Sequence, residues 1–364
     1  MLKSYKYTIT LFGVLFLLVW LPRCGIITQG VNLDVNIPAF KHLSEYNLFT
    51  GKMAELIPND RVLPFDIITP LFSDYAKKLR FVWMPEGTSA TYNEKEVFDF
   101  PVGAVLIKNF YFPHDFADES QGRRIMETRL LVNRTDGWDA LAYIWNDEQT
   151  EAVLEIAGGV EQVKWKSLTG EVVETPYIIP NKNQCKGCHV GGGKFLPIGP
   201  KARNINSDHD YDGKVQNQLE RWSEMGYLTN VPNGEQIPKI AKWDDEDAGT
   251  LEERAMAYLE VNCGTCHNRK GPAHTTGLYL TVFEKEPAHL GICKSPVAAG
   301  QGSGGRLYDI VPGKPEESIL PFRMESTNPG IMMPELGRRL VHKEGVELIK
   351  QWISSIEGAC GEKS

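Results

Sequence analysis

The chain has 364 residues, 42% hydrophobic and 24% charged, which suits two or three soluble domains whose cores need no metal or disulfide. Its 47 acidic against 39 basic residues give a net charge of −8 with no basic stripe, which argues against nucleic acid as a partner. At most, that charge favours a positively charged docking partner.

Residues 1–24 read as a targeting segment. "MLKSYKY" sets Lys3 and Lys6 ahead of an almost wholly apolar run over residues 8–21. A positive start before an apolar run shorter than a typical membrane span reads as an export signal. "LPRCG" offers no A-x-A cleavage site, but it places Cys24 where a bacterial lipoprotein carries its lipidated cysteine, with Arg23 in place of the usual small residue. Three readings stay open: a cleaved lipoprotein attached through Cys24, an uncleaved signal anchor, or soluble export. Each puts the body of the protein in the periplasm or cell envelope.

Residues 25–178 are expected to form a mainly-β domain, sandwich or barrel-like. A helical candidate over 38–46 precedes "GAVLIKNFYF", "METRLLVNR", "WDALAYIWN", "EAVLEIAG" and "EQVKWKSL". These short runs are rich in β-branched and aromatic residues and are separated by Gly, Asp and Asn turns. His114 stands alone there and reads as structural.

"PYIIPNKNQ" breaks the β pattern with two prolines and opens a loop-rich region, 179–240. Its helical candidate covers 214–228, with Leu219, Trp222 and Met225 on one face. Asp208, Asp210 and Asp212 before Gly213 match the start of an EF-hand loop, but position twelve is Leu219 and not Glu. A solvated loop is the reading, with Ca2+ a minor alternative. In 241–364, Thr250 and Glu253 form a capping box ahead of a helix, and a second amphipathic helix carries Val346, Ile349, Trp352, Ile353 and Ile356.

Two motifs carry the chemistry. "NQCKGCHV" holds Cys185, Cys188 and His189, and "VNCGTCH" holds Cys263, Cys266 and His267. C-x-x-C-H is the attachment signal for c-type haem. Two thiols reach the two vinyl positions on one porphyrin edge, and the following histidine turns under the ring as proximal ligand to iron. Zinc is the rival, but zinc ribbons separate their pairs by roughly 15–20 residues, far less than the span from Cys185 to Cys263, and leave both histidines unused. The remaining cysteines are Cys24, Cys293 and Cys360. In an oxidising compartment Cys293 and Cys360 are a disulfide candidate and Cys24 the odd one left for a lipid; three unrelated thiols are the alternative.

From "LEERAMAYLEVNCGTCH" through "VPGKPEESIL" and "GIMMPELG" to "WISSIEG", the chain resembles a class I cytochrome c domain. That resemblance implies a distal methionine just before proline, Met333, with Met332 as its neighbour in register. More widely, "LPFDIITPLFSDYAKKLRFVWMPEG", "FPVGAVLIKNF", "NQCKGCH", "PIGPKARNIN" and "MMPELGRRLVHKEGV" resemble a family of exported bacterial diheme c-type cytochromes. It implies two covalent haem c groups, mostly α-helical haem regions over 179–240 and 241–364, and a co-encoded parallel β-helix protein as a partner. The distal ligand of the first haem stays open between Met225, His209 and an unfilled position, with His114 next. Two functions follow: a carrier passing electrons between redox partners such as a dehydrogenase or another cytochrome, or a diheme peroxidase-like enzyme with an open or displaceable ligand at the first haem. In a third, the β domain docks the partner that supplies electrons.

Overall fold

The computed structural model describes residues 29–361, so the targeting segment and Cys24 lie outside the described residues. Six strands form one antiparallel meander whose spatial order is the chain order. They are β1 (Leu63–Phe65), β2 (Lys77–Trp83), β3 (Val105–Pro113), β4 (Arg123–Arg134), β5 (Gly137–Trp145) and β6 (Ala152–Leu154). A hairpin of β7 (Gly159–Lys166) and β8 (Val172–Ile179) follows.

Strand alternation sends successive side chains to opposite faces. On one face Phe81, Ile107, Leu130 and Tyr143 pack against Leu43, Tyr46, Leu48 and Phe49 of the N-terminal segment. There the Tyr143 hydroxyl bonds that of Tyr46 at 2.9 Å. Of the helix expected over 38–46, only a 3-10 turn, Leu43–Tyr46, forms.

The opposite face carries two separate apolar clusters. At one end, Trp165 and Tyr177 of the β7–β8 hairpin cover Phe110, Phe112 and Met126. At the other, α2 (Ala202–Ile205) and α3 (Gln218–Glu224) bring Ile205, Leu219 and Trp222 onto Leu63, Phe65 and Val82. Leu228 and Thr229 add a parallel pairing with Ala90 and Thr91. The region after residue 178 therefore shares a core with the sheet. Ahead of α2, α1 (Lys182–Cys188) packs beside β5.

The C-terminal region has its own core, built from α4 (Leu251–Asn262), α5 (Ile319–Glu325) and α6 (Lys343–Ser355). The capping box forms: Thr250 Oγ1 accepts from Glu253 N, and Glu253 Oε2 accepts from Thr250 N. Val346, Ile349, Trp352 and Ile353 of α6 are buried against Tyr258 and Leu259 of α4. The helices cross so closely that a Cβ at Gly345 would overlap the Tyr258 ring.

Cys293 and Cys360, 67 positions apart in sequence, form a disulfide with Cα atoms 5.2 Å apart. It fastens the chain after α6 to a loop of the same region. Cys293→Ser is expected to cost about 2–4 kcal/mol, chiefly by releasing the unfolded chain. A denaturant titration in which midpoint and slope match the parent would show the bridge to be dispensable.

The expected pair of mostly α-helical haem regions is not what forms. The described residues hold six α-helices of 4 to 13 residues, and β structure dominates the N-terminal and central parts. Between 182 and 229 the helices are short pieces set among two-residue strands and a hairpin. The local cause is legible: "GGG" at 191–193 and the prolines at 197 and 200 interrupt any longer run. The tertiary cause is that the sheet already supplies the large apolar surface that longer helices would otherwise bury. Among the described residues no helix is long and apolar enough to cross a membrane.

Candidate functional site

The first motif is itself a helix. Asn181 caps α1 with a capping box: its side chain accepts from Gln184 N at 2.9 Å and Gln184 Oε1 accepts from Asn181 N at 2.9 Å. One turn of helix brings Cys185 and Cys188 to neighbouring positions on one face. His189 terminates it, its N–H donating to the Cys185 carbonyl at 3.0 Å. His189 Nδ1 lies 2.9 Å from the Leu196 carbonyl. A carbonyl only accepts, so Nδ1 carries the proton and Nε2 is left with its lone pair free, the arrangement a haem-ligating histidine needs. Burial, then Lys108 and Arg129, push His189 down to about 4, so the ring is neutral at neutral pH.

The second motif follows α4 directly. Cys263 closes the helix, and its carbonyl accepts from Cys266 N at 3.0 Å and His267 N at 2.9 Å. This turn gathers both thiols and the ring. His267 Nδ1 is 3.4 Å from Thr276 Oγ1, and burial, then Arg323, push the histidine down to about 4. All four motif cysteines are free thiols.

The two motifs meet. Cys188 and Cys266 are neighbours, and the nearby Cys266 thiol lowers Cys188 to about 7 despite its burial. Gly192 N donates to the Lys270 carbonyl at 3.1 Å, joining the loops behind the two histidines. Nothing in the separation along the chain reveals this pairing.

Met333 lines a cavity with Cys263, Tyr258, Asn262, Arg338 and His342. Arg338 Nη2 donates to the carbonyls of Met333 (2.7 Å), Ser326 (3.0 Å) and Arg323 (3.2 Å), fastening the methionine loop over the motif. Met332 is buried and lines no part of that cavity. His342 was not singled out from sequence. It stacks on Phe72 at 4.2 Å and lies 3.0 Å from the Tyr258 hydroxyl, so this cavity holds a second potential ligand.

The distal candidates for the first motif have surroundings of their own. Met225 packs against the cluster of Phe65, Leu219 and Trp222. His209 sits on the hairpin of β9 (Asp208–Tyr211) and β10 (Lys214–Asn217), its ring 4.8 Å from Tyr211. His114 is exposed at the end of β3. The acidic triplet belongs to the same hairpin. Asp212 and Gly213 take left-handed φ values of 54° and 89°, and Asp210 Oδ1 accepts from Gly213 N at 2.6 Å. An Asp-Gly turn between paired strands explains the aspartates, and it replaces the first turn of the helix expected from 214. Among the described residues no three His, Cys, Asp or Glu side chains converge as a bare metal site would require.

A final group was also missed. Lys78, Arg80, Lys108, Glu127 and Arg129 form a polar strip between the two apolar clusters on the inner face of the sheet, within electrostatic reach of the first motif. The available signal was one or two charges at inward positions of each otherwise apolar strand.

Compared with family models, curated proteins and solved structures, the chain matches none of them.

Proposed function

We propose that this is an exported diheme c-type cytochrome that relays electrons between redox partners in the periplasm or cell envelope. The observation that supports it best is the contact between the motifs: two C-x-x-C-H units, each with free thiols and a neutral histidine, adjoin through Cys188 and Cys266. The residues fit the group. Cys185 and Cys188 would hold one haem and Cys263 and Cys266 the other, with His189 and His267 as proximal ligands and Met333 opposite His267. Bound haem iron supplies one-electron redox chemistry. The chain orients the histidines through Nδ1, encloses the second site beneath the Arg338-fastened loop, and brings both motifs together. The partners on this reading are redox proteins such as a dehydrogenase or another cytochrome, with a co-encoded parallel β-helix protein as a further candidate.

A peroxidase-like enzyme is the second reading, favoured by the packing of Met225 into the Phe65, Leu219 and Trp222 cluster and of His209 against Tyr211. A first haem without a side-chain ligand opposite His189 would be high-spin and bind cyanide.

Mass spectrometry of the denatured, exported protein is expected to show the chain plus two haems, since thioethers survive unfolding. A haem-free chain sinks both readings. A wholly low-spin, cyanide-resistant spectrum removes the enzyme and leaves the carrier.

A further inference from the structure

The strip on the inner face of the sheet is unusual because charged side chains rarely face a buried surface without full compensation. Register sets the side chains in a row: Arg80 of β2 pairs with Lys108 of β3, which pairs with Arg129 of β4. Adjacent strands are about 4.8 Å apart, so the row extends roughly 10 Å across the sheet. Lys78, Lys108 and Arg129 surround the buried Phe110 ring at 5.9, 4.8 and 4.3 Å from its centroid.

Compensation is uneven along the row. Arg129 is held by Glu127 through Nε (2.7 Å) and Nη2 (2.5 Å), and Glu127 also accepts from Tyr177 at 2.6 Å. Lys78 donates to the Leu71 carbonyl at 2.9 Å. Arg80 uses Nη1 on Asp66 at 2.7 Å, while its buried Nη2 has no partner among the described residues; the side chain is only 6% exposed. Lys108 Nζ has no hydrogen bond and no carboxylate within ion-pair distance among those residues. Burial, then Arg80, Lys78 and Arg129, hold its ammonium well below 10.5. An anion beside Lys108 and Arg80 would satisfy both. A buried arginine with an unused donor beside a half-buried lysine that lacks a partner marks where one is expected.

The direction of the row identifies the anion. α1 packs beside β5, and from β5 the sheet runs to β4 with Arg129, then β3 with Lys108, then β2 with Arg80, so the row leads away from α1. A porphyrin attached by thioethers carries its propionates on the edge away from the vinyl positions. With the thioether edge at α1, those carboxylates would lie along the sheet toward Lys108 and Arg80.

We propose that Lys108 and Arg80, with Arg129 behind them, receive the propionate carboxylates of the haem carried by Cys185 and Cys188. This rests on the diheme reading above. It gives the β domain a role in setting the first haem's potential, since a nearby cation favours the ferrous state. Lys108 acts through the propionate and is therefore a positioning residue.

The test uses the full-length, haem-loaded protein as parent, Lys108→Met and Lys108→Arg. Lys108→Met removes a cation that is repelled by its neighbours, so the fold is expected to tolerate it. All three should carry two haems by mass. In a redox titration the first haem's midpoint, identified as the one that Met333→Ala leaves in place, should fall in Lys108→Met and return in Lys108→Arg. The propionate bending band in resonance Raman should shift in Lys108→Met alone. Two bound haems with both midpoints and the band unmoved would overturn the proposal, as would movement of the second haem only. Loss of covalent haem from the parent would defeat the diheme reading itself, which mass resolves separately.

Discussion

Replacing Glu260 with alanine is expected to destabilise the protein by about 3–5 kcal/mol, because it strands a buried cation. Glu260 and Arg203 are 5% and 3% exposed. Arg203 Nε donates to Glu260 Oε1 at 2.8 Å with Nη2 on the same oxygen, Lys201 Nζ lies 3.5 Å from it, and Oε2 accepts from Val282 N at 3.0 Å. The pair joins α2 to α4, three residues before Cys263, so its loss should loosen the junction between the two motif regions. Burial raises the carboxyl, but Lys201 and Arg203 outweigh it and hold Glu260 below its ordinary value of 4.5. A group whose pKa is lowered by folding stabilises the native state above the unfolded value and loses that contribution on acidification. Glu260→Gln should therefore flatten the fall in stability below pH 4.5. Chemical denaturation at several pH values checks both outcomes. A Glu260→Ala protein within 1 kcal/mol of the parent would mean that water or relaxation replaces the ion pair, a threshold of about the size of one net hydrogen bond.

On the diheme reading, Met333→Ala is expected to lower one haem's midpoint by a sizeable part of the roughly 0.8 V that axial ligands span, and to remove the sulfur-to-iron absorption at the red end of the spectrum. Met332→Ala should do neither. The register argument is structural: Met333 shares the cavity with Cys263, and Arg338 fastens its carbonyl, while Met332 lines no part of that cavity. If His342 is the ligand instead, His342→Ala will move the midpoint and Met333→Ala will not. Redox titration of the three variants separates these cases.

Local signals decided what sequence alone determined. C-x-x-C-H is a contiguous pattern, so both motifs and their histidines were identifiable with no knowledge of the fold. The capping box at Thr250 and Glu253 and the apolar stripe on α6 depend on residues within two turns of each other, and they too were visible. The strands of the central sheet announced themselves through short β-branched and aromatic runs. The helix expected over 214–228 shortened to Gln218–Glu224 because an Asp-Gly turn and strand pairing claimed 214–217. The mostly helical haem regions failed to appear because the sheet's inner face took up the apolar residues that helical bundles would have buried in each other. Contacts between distant segments were invisible in principle. The meeting of Cys188 with Cys266, the arrival of His342 at the Met333 cavity and the alignment of Arg80, Lys108 and Arg129 all depend on register and chain path. A motif specifies which atoms can react, whereas packing of segments far apart in the chain decides what those atoms face.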